Sequence, residues 1–166
     1  VRLSERDEIV DRVNKAVDDL DTTVTEIRTA IFELGNKAFP GGLRHSVFEL
    51  THEMAPMLGT RPRVVFNGAI DNAISQRIAD SILAVLREAL TNAGKHANAT
   101  SYVVTISVAD DVSLEVQDNG IGIDVSRAFG AGLGLVNLRS RAERLGGSFE
   151  ILTGAHGTRV LWRVPI

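Results

Sequence analysis

The first apolar pattern in the chain runs Val10, Val13, Val17, Leu20, Val24, Ile27, Ile31, Leu34, in steps that alternate between three and four residues. The spacing averages about 3.5 residues, the period of a coiled-coil seam. Val10, Val17, Val24 and Ile31 hold one seam position; Val13, Leu20, Ile27 and Leu34 hold the other. β-Branched residues at the first position favour two-stranded parallel pairing, so a long dimerising helix is predicted. A core helix of one globular domain is the alternative. Gly35 and the Pro40-Gly41-Gly42 cluster end the pattern and read as a linker, dividing the chain into 1–39 and 40–166.

Beyond the linker, Leu43 to Leu58 reads as a second helix, and Arg61 to Asn67 alternates like a strand before Gly68 turns the chain. Ser75 to His96 is a long amphipathic helix with Ile78, Ile82, Val85, Ala89 and Ala93 on its buried side. Tyr102, Val104, Ile106 and Val108 alternate, as do Val112, Leu114 and Val116, with Asp110-Asp111 as the turn between two strands. A glycine-rich stretch from Gly120 to Gly134 leads into a helix, Val136 to Leu145, stopped by Gly146-Gly147. Strands from Ser148 to Leu152 and from Thr158 to Val164 flank a turn around Gly154 to Gly157. Helices gather in the first half and strands pair locally. The fold class that follows is α+β, a two-layer sandwich of mixed sheet and helices, preceded by the coiled-coil-like helix.

Composition narrows the function. The chain has 166 residues, 44% of them hydrophobic, enough for one compact domain plus an appendage. A net charge of −3 argues against the broad basic face of a direct nucleic-acid binder. With no cysteine, disulfides and thiolate metal sites are excluded, which fits a reducing compartment. No apolar run approaches the roughly 18 residues that span a bilayer, so no membrane contact is expected. The opening VRLSERDEIV reads as cut from something longer, and a cytoplasmic fragment is the expectation.

Three pieces carry candidate chemistry. On a helix, residues four apart differ by about 40° and residues seven apart by about 20°. Glu88, Asn92 and Lys95 therefore share one stripe of the long helix, with His96 at its border. Asparagine offers a neutral oxygen for Mg²⁺, a carboxylate one turn away accepts a proton or holds a metal-bound water, and lysine supplies a charge for phosphate. A solvated polar face explains the same stripe. The second piece, Asp118-Asn119-Gly120-Ile121-Gly122, follows a strand directly. An aspartate there accepts from an amino group on a flat ligand, while glycines let backbone approach it; an ordinary Asn-Gly turn is the alternative. The third, Gly130-Ala131-Gly132-Leu133-Gly134-Leu135, opens a helix whose free N–H groups suit an anion. It has neither the Walker Gly-Lys-Ser/Thr nor the βαβ context of a dinucleotide fingerprint, and a flexible loop with a helix cap is the alternative.

In this order the pieces resemble the ATP-binding catalytic domain of histidine kinases, the Bergerat fold shared with gyrase, Hsp90 and MutL ATPases. Glu88 and Asn92 match the N box, Asp118, Gly120 and Gly122 the G1 box, and Gly130, Gly132 and Gly134 the G2 box. Gly157-Thr158-Arg159-Val160 is similar to the family's closing strand. The phrases EIRTAIFEL and GLGLVNLRSRAERLGG resemble NarX/DesK-type kinases, nearest in kind to mycobacterial DevS- and DosT-like sensors. The F box of larger kinases is missing, and so is an Asp-Leu-His-Asp phosphoacceptor motif.

The resemblance implies a set of roles. ATP lies between the Ser75–His96 helix and a mobile lid, with Asp118 accepting from the adenine amino group and Thr158 near it through water. Asn92 ligates Mg²⁺, and Glu88 activates the acceptor imidazole or orients a metal-bound water. Lys95, His96 and the N–H groups of Gly132, Leu133, Gly134 and Leu135 steady the phosphates. Residues 1–39 correspond to the second helix of a dimerisation hairpin. The homodimer contact is expected there, the acceptor histidine on an absent helix, and a response-regulator receiver domain as partner. Autophosphorylation of this chain alone is not expected. Thr51-His52-Glu53-Met54-Ala55-Pro56 mimics another subfamily's acceptor pattern, but it lies after the linker; Asn14 stands where the acceptor run would place histidine. His45 and His156 read as surface residues, and no histidine pair has zinc-ligand spacing. A serine kinase or ATPase on the same fold is one alternative, and a dimer module with a degenerate pocket is another.

Overall fold

A computed structural model describes residues 42–123 and 133–166. The heptad helix, its dimer contact, Asn14, Gly130 and Gly132 lie outside the described residues.

Helix α1, Gly42–Leu58, has no acidic residue in its first turn. Its start is capped from elsewhere: Asp71 Oδ1 accepts from the Arg44 amide at 3.2 Å, and Asp71 Oδ2 pairs with Arg44 Nε at 3.0 Å. Strand β1 is Arg63–Asn67, two residues shorter at its start than the alternation implied, because Pro62 has no N–H for a ladder. Asp71 belongs to a short helix, α2, Ile70–Ala73, which has too few residues to leave a periodic signal.

Helix α3, Gln76–His96, is the long amphipathic element. Ser75 precedes it in extended conformation, as an N-cap residue should. All five predicted inward residues are buried, joined by Leu83, Leu86 and Leu90, which widen the apolar stripe. Each large aliphatic side chain buried this way contributes about 1.5–3 kcal/mol. The helix ends where Ala97 N donates to Ala93 O at 2.9 Å and Asn98 takes a left-handed φ of 49°. Asparagine here makes the stop that glycine usually makes.

The remaining elements are β2 (Tyr102–Val108), β3 (Asp111–Asp118), α4 (Leu133–Arg144), β4 (Ser148–Gly154) and β5 (Gly157–Pro165). The sheet has the order β1-β2-β3-β5-β4, with β1 parallel to β2 and every other pair antiparallel. It is a mixed sheet in an α+β fold, as the pattern predicted. Residues buried on β2, β3 and β5 alternate, so one face meets the helices and the other meets water. Leu114 sits opposite Trp162 and Val116 opposite Val160, and Trp162 is completely buried. Two turns are shifted from expectation. Asp111 is already paired with Pro165, so Ala109-Asp110 makes the β2–β3 turn, and only Ala155-His156 separate β4 from β5. Helix α4 starts three residues before Val136, because glycines carry no apolar signal that would mark a first turn.

Candidate functional site

Asp118 is the last residue of β3 and only 6% exposed. Its Oδ1 accepts from Gly120 N at 2.8 Å and from Thr158 N at 3.2 Å. The other oxygen has no partner among the described residues, although the carboxylate lines a cleft. That cleft lies under α3 (Ala89, Asn92, Ala93, Ala97), against β3 (Val116, Asp118) and Ile123. Leu135 and Leu138 of α4, Ile151 of β4, and Thr158 and Val160 of β5 complete its wall. Its volume is about 30 Å³, room for one or two waters.

The glycines around Asp118 answer to close approach. A Cβ on Gly120 would run into the backbone of Ala97, whose carbonyl accepts from Ile121 N at 2.8 Å. Gly122 has a φ of 77°, and a Cβ there would lie 2.8 Å from Thr153 Oγ1. Thr153 ties the loop to β4, accepting from Ile123 N at 2.8 Å and lying 3.4 Å from Thr158 Oγ1. Of the two threonines, Thr158 lines the cleft and bonds the Asp118 carboxylate through its backbone amide.

On α3, Asn92 Nδ2 donates to Glu88 Oε1 at 3.2 Å. The amide nitrogen is thus committed to Glu88 and the amide oxygen is left for another partner. The first turn of α4 lies against this pair: a Cβ on Gly134 would sit 3.2 Å from Asn92 Nδ2 and closer still to Glu88 Oε1. Leu133 opens α4, so the first turn of this helix lies beside Glu88 and Asn92. Leu135 turns inward and is buried. Farther along α4, burial holds the Arg141 guanidinium below its ordinary pKa, with Arg144 adding to the shift and Glu88 opposing it.

The structure therefore brings together Asn92, Asp118, Leu135 and Thr158 in one cleft, with Glu88 and Gly134 at its edge. Lys95 and His96 do not line the cleft. Both are exposed on the last turn of α3, outside the cleft lining, where positive charge complements the helix dipole. His45 and His156 are exposed. His52 is exposed on α1, its Nδ1 accepting from Arg61 Nη2 at 2.7 Å. Thr153, Ala97 and Arg141 carried no motif that would have singled them out, since each acts through a contact with a distant segment.

A family model described as histidine kinase-, DNA gyrase B-, and HSP90-like ATPase matches residues 77–166. Sensor protein VraS of Staphylococcus epidermidis is 29% identical over 135 residues, which cover 80% of this chain and 37% of that protein. VraS of Staphylococcus aureus gives the same identity and coverage. The chain thus spans little more than a third of the curated relatives it matches. Among solved structures, the histidine kinase domain of the Erythrobacter litoralis EL346 blue-light activated histidine kinase superposes with a TM-score of 0.55 at 24% identity. That alignment covers 69% of this chain and 57% of the other, and it shows a shared fold. With more than half of its length matched, from helix α3 to the last strand, the chain belongs to the family of histidine kinase-, DNA gyrase B- and HSP90-like ATPases.

Proposed function

We propose that this ATPase-type domain binds Mg-ATP in the cleft and serves a protein-histidine kinase. The supporting observation is Asp118, with one carboxylate oxygen held by two backbone amides and the other left to the cleft. That free oxygen accepts from the adenine amino group, with Thr158 beside it. Asn92 suits a hard cation because its nitrogen faces Glu88, leaving its oxygen as the ligand. Magnesium held there by Asn92 would neutralise phosphate charge, the main electrostatic need of phosphoryl transfer. The first-turn amides of α4 and the half-buried Arg141 add positive potential next to Glu88. Glu88 would take the proton from the attacking imidazole, or orient a water for attack. Lys95 and His96, exposed on the last turn of α3, steady the phosphates from outside the cleft lining. Leu135, buried at the start of α4, forms part of the cleft wall that a nucleotide would meet.

In a complete histidine kinase the γ-phosphoryl would go to a histidine on a dimerisation helix, then to an aspartate of a response-regulator receiver domain. The heptad helix supplies the homodimer contact. The NarX/DesK-type placement rests on the two sequence phrases alone. Among the described residues no helix is long and apolar enough to cross a membrane.

Thermal unfolding with nucleotide tests the reading. A ligand at about 100 times its Kd stabilises by roughly 2.7 kcal/mol. The melting temperature should rise with ATP and magnesium together, and Asn92→Ala should remove the magnesium dependence. No shift with Mg-ATP would refute nucleotide binding. With γ-labelled ATP the chain alone should stay unlabelled, and a supplied histidine-bearing helix should gain acid-labile label. Transfer to serine, or release as phosphate only, would favour the related kinase or ATPase chemistries instead.

A further inference from the structure

We infer that Asn119 is a positioning residue that fixes the Asp118 carboxylate for an adenine amino group and so sets base selectivity. The inference rests on the role proposed above for Asp118. An asparagine in an Asn-Gly turn ordinarily bonds its own turn. Asn119 does not. Its Oδ1 accepts from Thr100 N and Ser101 N, each at 2.9 Å, across 19 and 18 residues of sequence. Its Nδ2 donates to Thr100 Oγ1 at 3.0 Å, and its backbone N donates to Ser101 O at 3.3 Å. Two donors on Oδ1 fill the two lone pairs of an amide oxygen. The side chain therefore ties the α3–β2 turn, just after left-handed Asn98, to the residue between Asp118 and Gly120.

The consequence falls on the neighbouring carboxylate. Gly120 N is the shorter of the two bonds that hold Asp118 Oδ1. Gly120 itself has no side chain to anchor it and is buried against Ala97. With the Asn119 side chain shortened, the segment keeps the backbone bonds of Asn119 N to Ser101 O and Ile121 N to Ala97 O but loses the side-chain ties. Gly120 N is then held less tightly, and the Asp118 carboxylate turns more readily about its terminal bond. Adenine presents an amino donor where guanine presents a carbonyl oxygen. A carboxylate held in place accepts from the first and repels the second; one that turns discriminates less. Asn119 is exposed, so shortening its side chain opens no cavity in the core.

The test is titration of the chain with Mg-ATP and Mg-GTP, in wild type, Asn119→Ala and Asn119→Asp. Melting without nucleotide, read from Trp162, the single tryptophan, confirms that each variant is folded. Asn119→Ala should raise the ATP Kd about tenfold, the scale of one lost hydrogen bond, with the GTP Kd changed by less than about twofold. Asn119→Asp keeps an acceptor oxygen for both amides and should restore most of the ATP preference. Unchanged ATP affinity in Asn119→Ala, an equal loss for both nucleotides, or Asp behaving like Ala would each overturn the inference. A selective wild type with any of those results leaves the role of Asp118 standing. A wild type that binds ATP no better than GTP overturns that role and this inference together.

Discussion

Asp118 shows how one side chain divides structural and chemical work between its two oxygens. Oδ1 satisfies two backbone amides that would otherwise be buried without partners. Asp118→Ala should cost about 1–3 kcal/mol of stability for those amides and abolish nucleotide binding. Asp118→Asn separates the two effects. Its oxygen still accepts from both amides, so thermal melting should change by less than about 1 kcal/mol. The amide nitrogen then faces the cleft as a donor, and ATP affinity should fall at least tenfold by titration. Asp118, Gly120 and Gly122 were legible in the sequence because an acid followed by spaced glycines at a strand end is an unusual local pattern. Asn119 was legible only as a turn residue, since its partners lie 18 and 19 residues away.

Among the elements, α1 and α3 are clamped at the surface by a bidentate ion pair, Arg87 to Glu53 at 2.7 and 2.8 Å. The hydrogen bond from Arg87 holds the Glu53 carboxyl below its ordinary value of 4.5, with partial burial opposing. A carboxyl with a depressed folded pKa stabilises above its unfolded value, and that contribution fades as pH falls through the folded one. Both side chains are about half exposed, so solvent screening limits the pair to about 0.5–1 kcal/mol. A Glu53→Ala/Arg87→Ala double-mutant cycle should show this coupling at pH 7, keep it at pH 4.5, and lose it as pH falls on through the lowered folded pKa or in high salt. Equal coupling at pH 7 and below the folded pKa would contradict the assignment. The amphipathic period marked α3 and its buried face correctly. It carried no information about the partner of Arg87, because an exposed charge pair leaves no periodic trace.

At the scale of the described domain, the buried core is concentrated on one face of the sheet. Leu86 on α3 is completely buried, so Leu86→Ala should cost about 2–5 kcal/mol in urea unfolding with an unchanged m-value. Leu152 on β4 is 59% exposed, and Leu152→Ala should stay within about 0.5 kcal/mol. The outer face is polar and laced by surface pairs such as Arg163 Nε with Asp111 Oδ2 at 3.2 Å. Such pairs add little to stability, so the asymmetry between the two leucines tests where the core lies.

The sequence by itself determined the α3 helix and its inward stripe, the β2–β3 and β4–β5 hairpins, the α+β class, and three motifs in family order. Period and turn chemistry are local properties, and each of those features is short-range. Tertiary structure alone decided that β5 enters the sheet between β3 and β4. That insertion puts the Thr158 amide on Asp118, 40 residues away, a contact whose residue the family resemblance anticipated and whose geometry it did not. Tertiary packing also set the first turn of α4 on Glu88 and Asn92, and left Lys95 and His96 in solvent although helical spacing joined Lys95 to the same stripe. An apolar period reports which face of an element is buried. Which element covers that face, and which distant amide meets a given carboxylate, depends on the order of strands and the seating of helices.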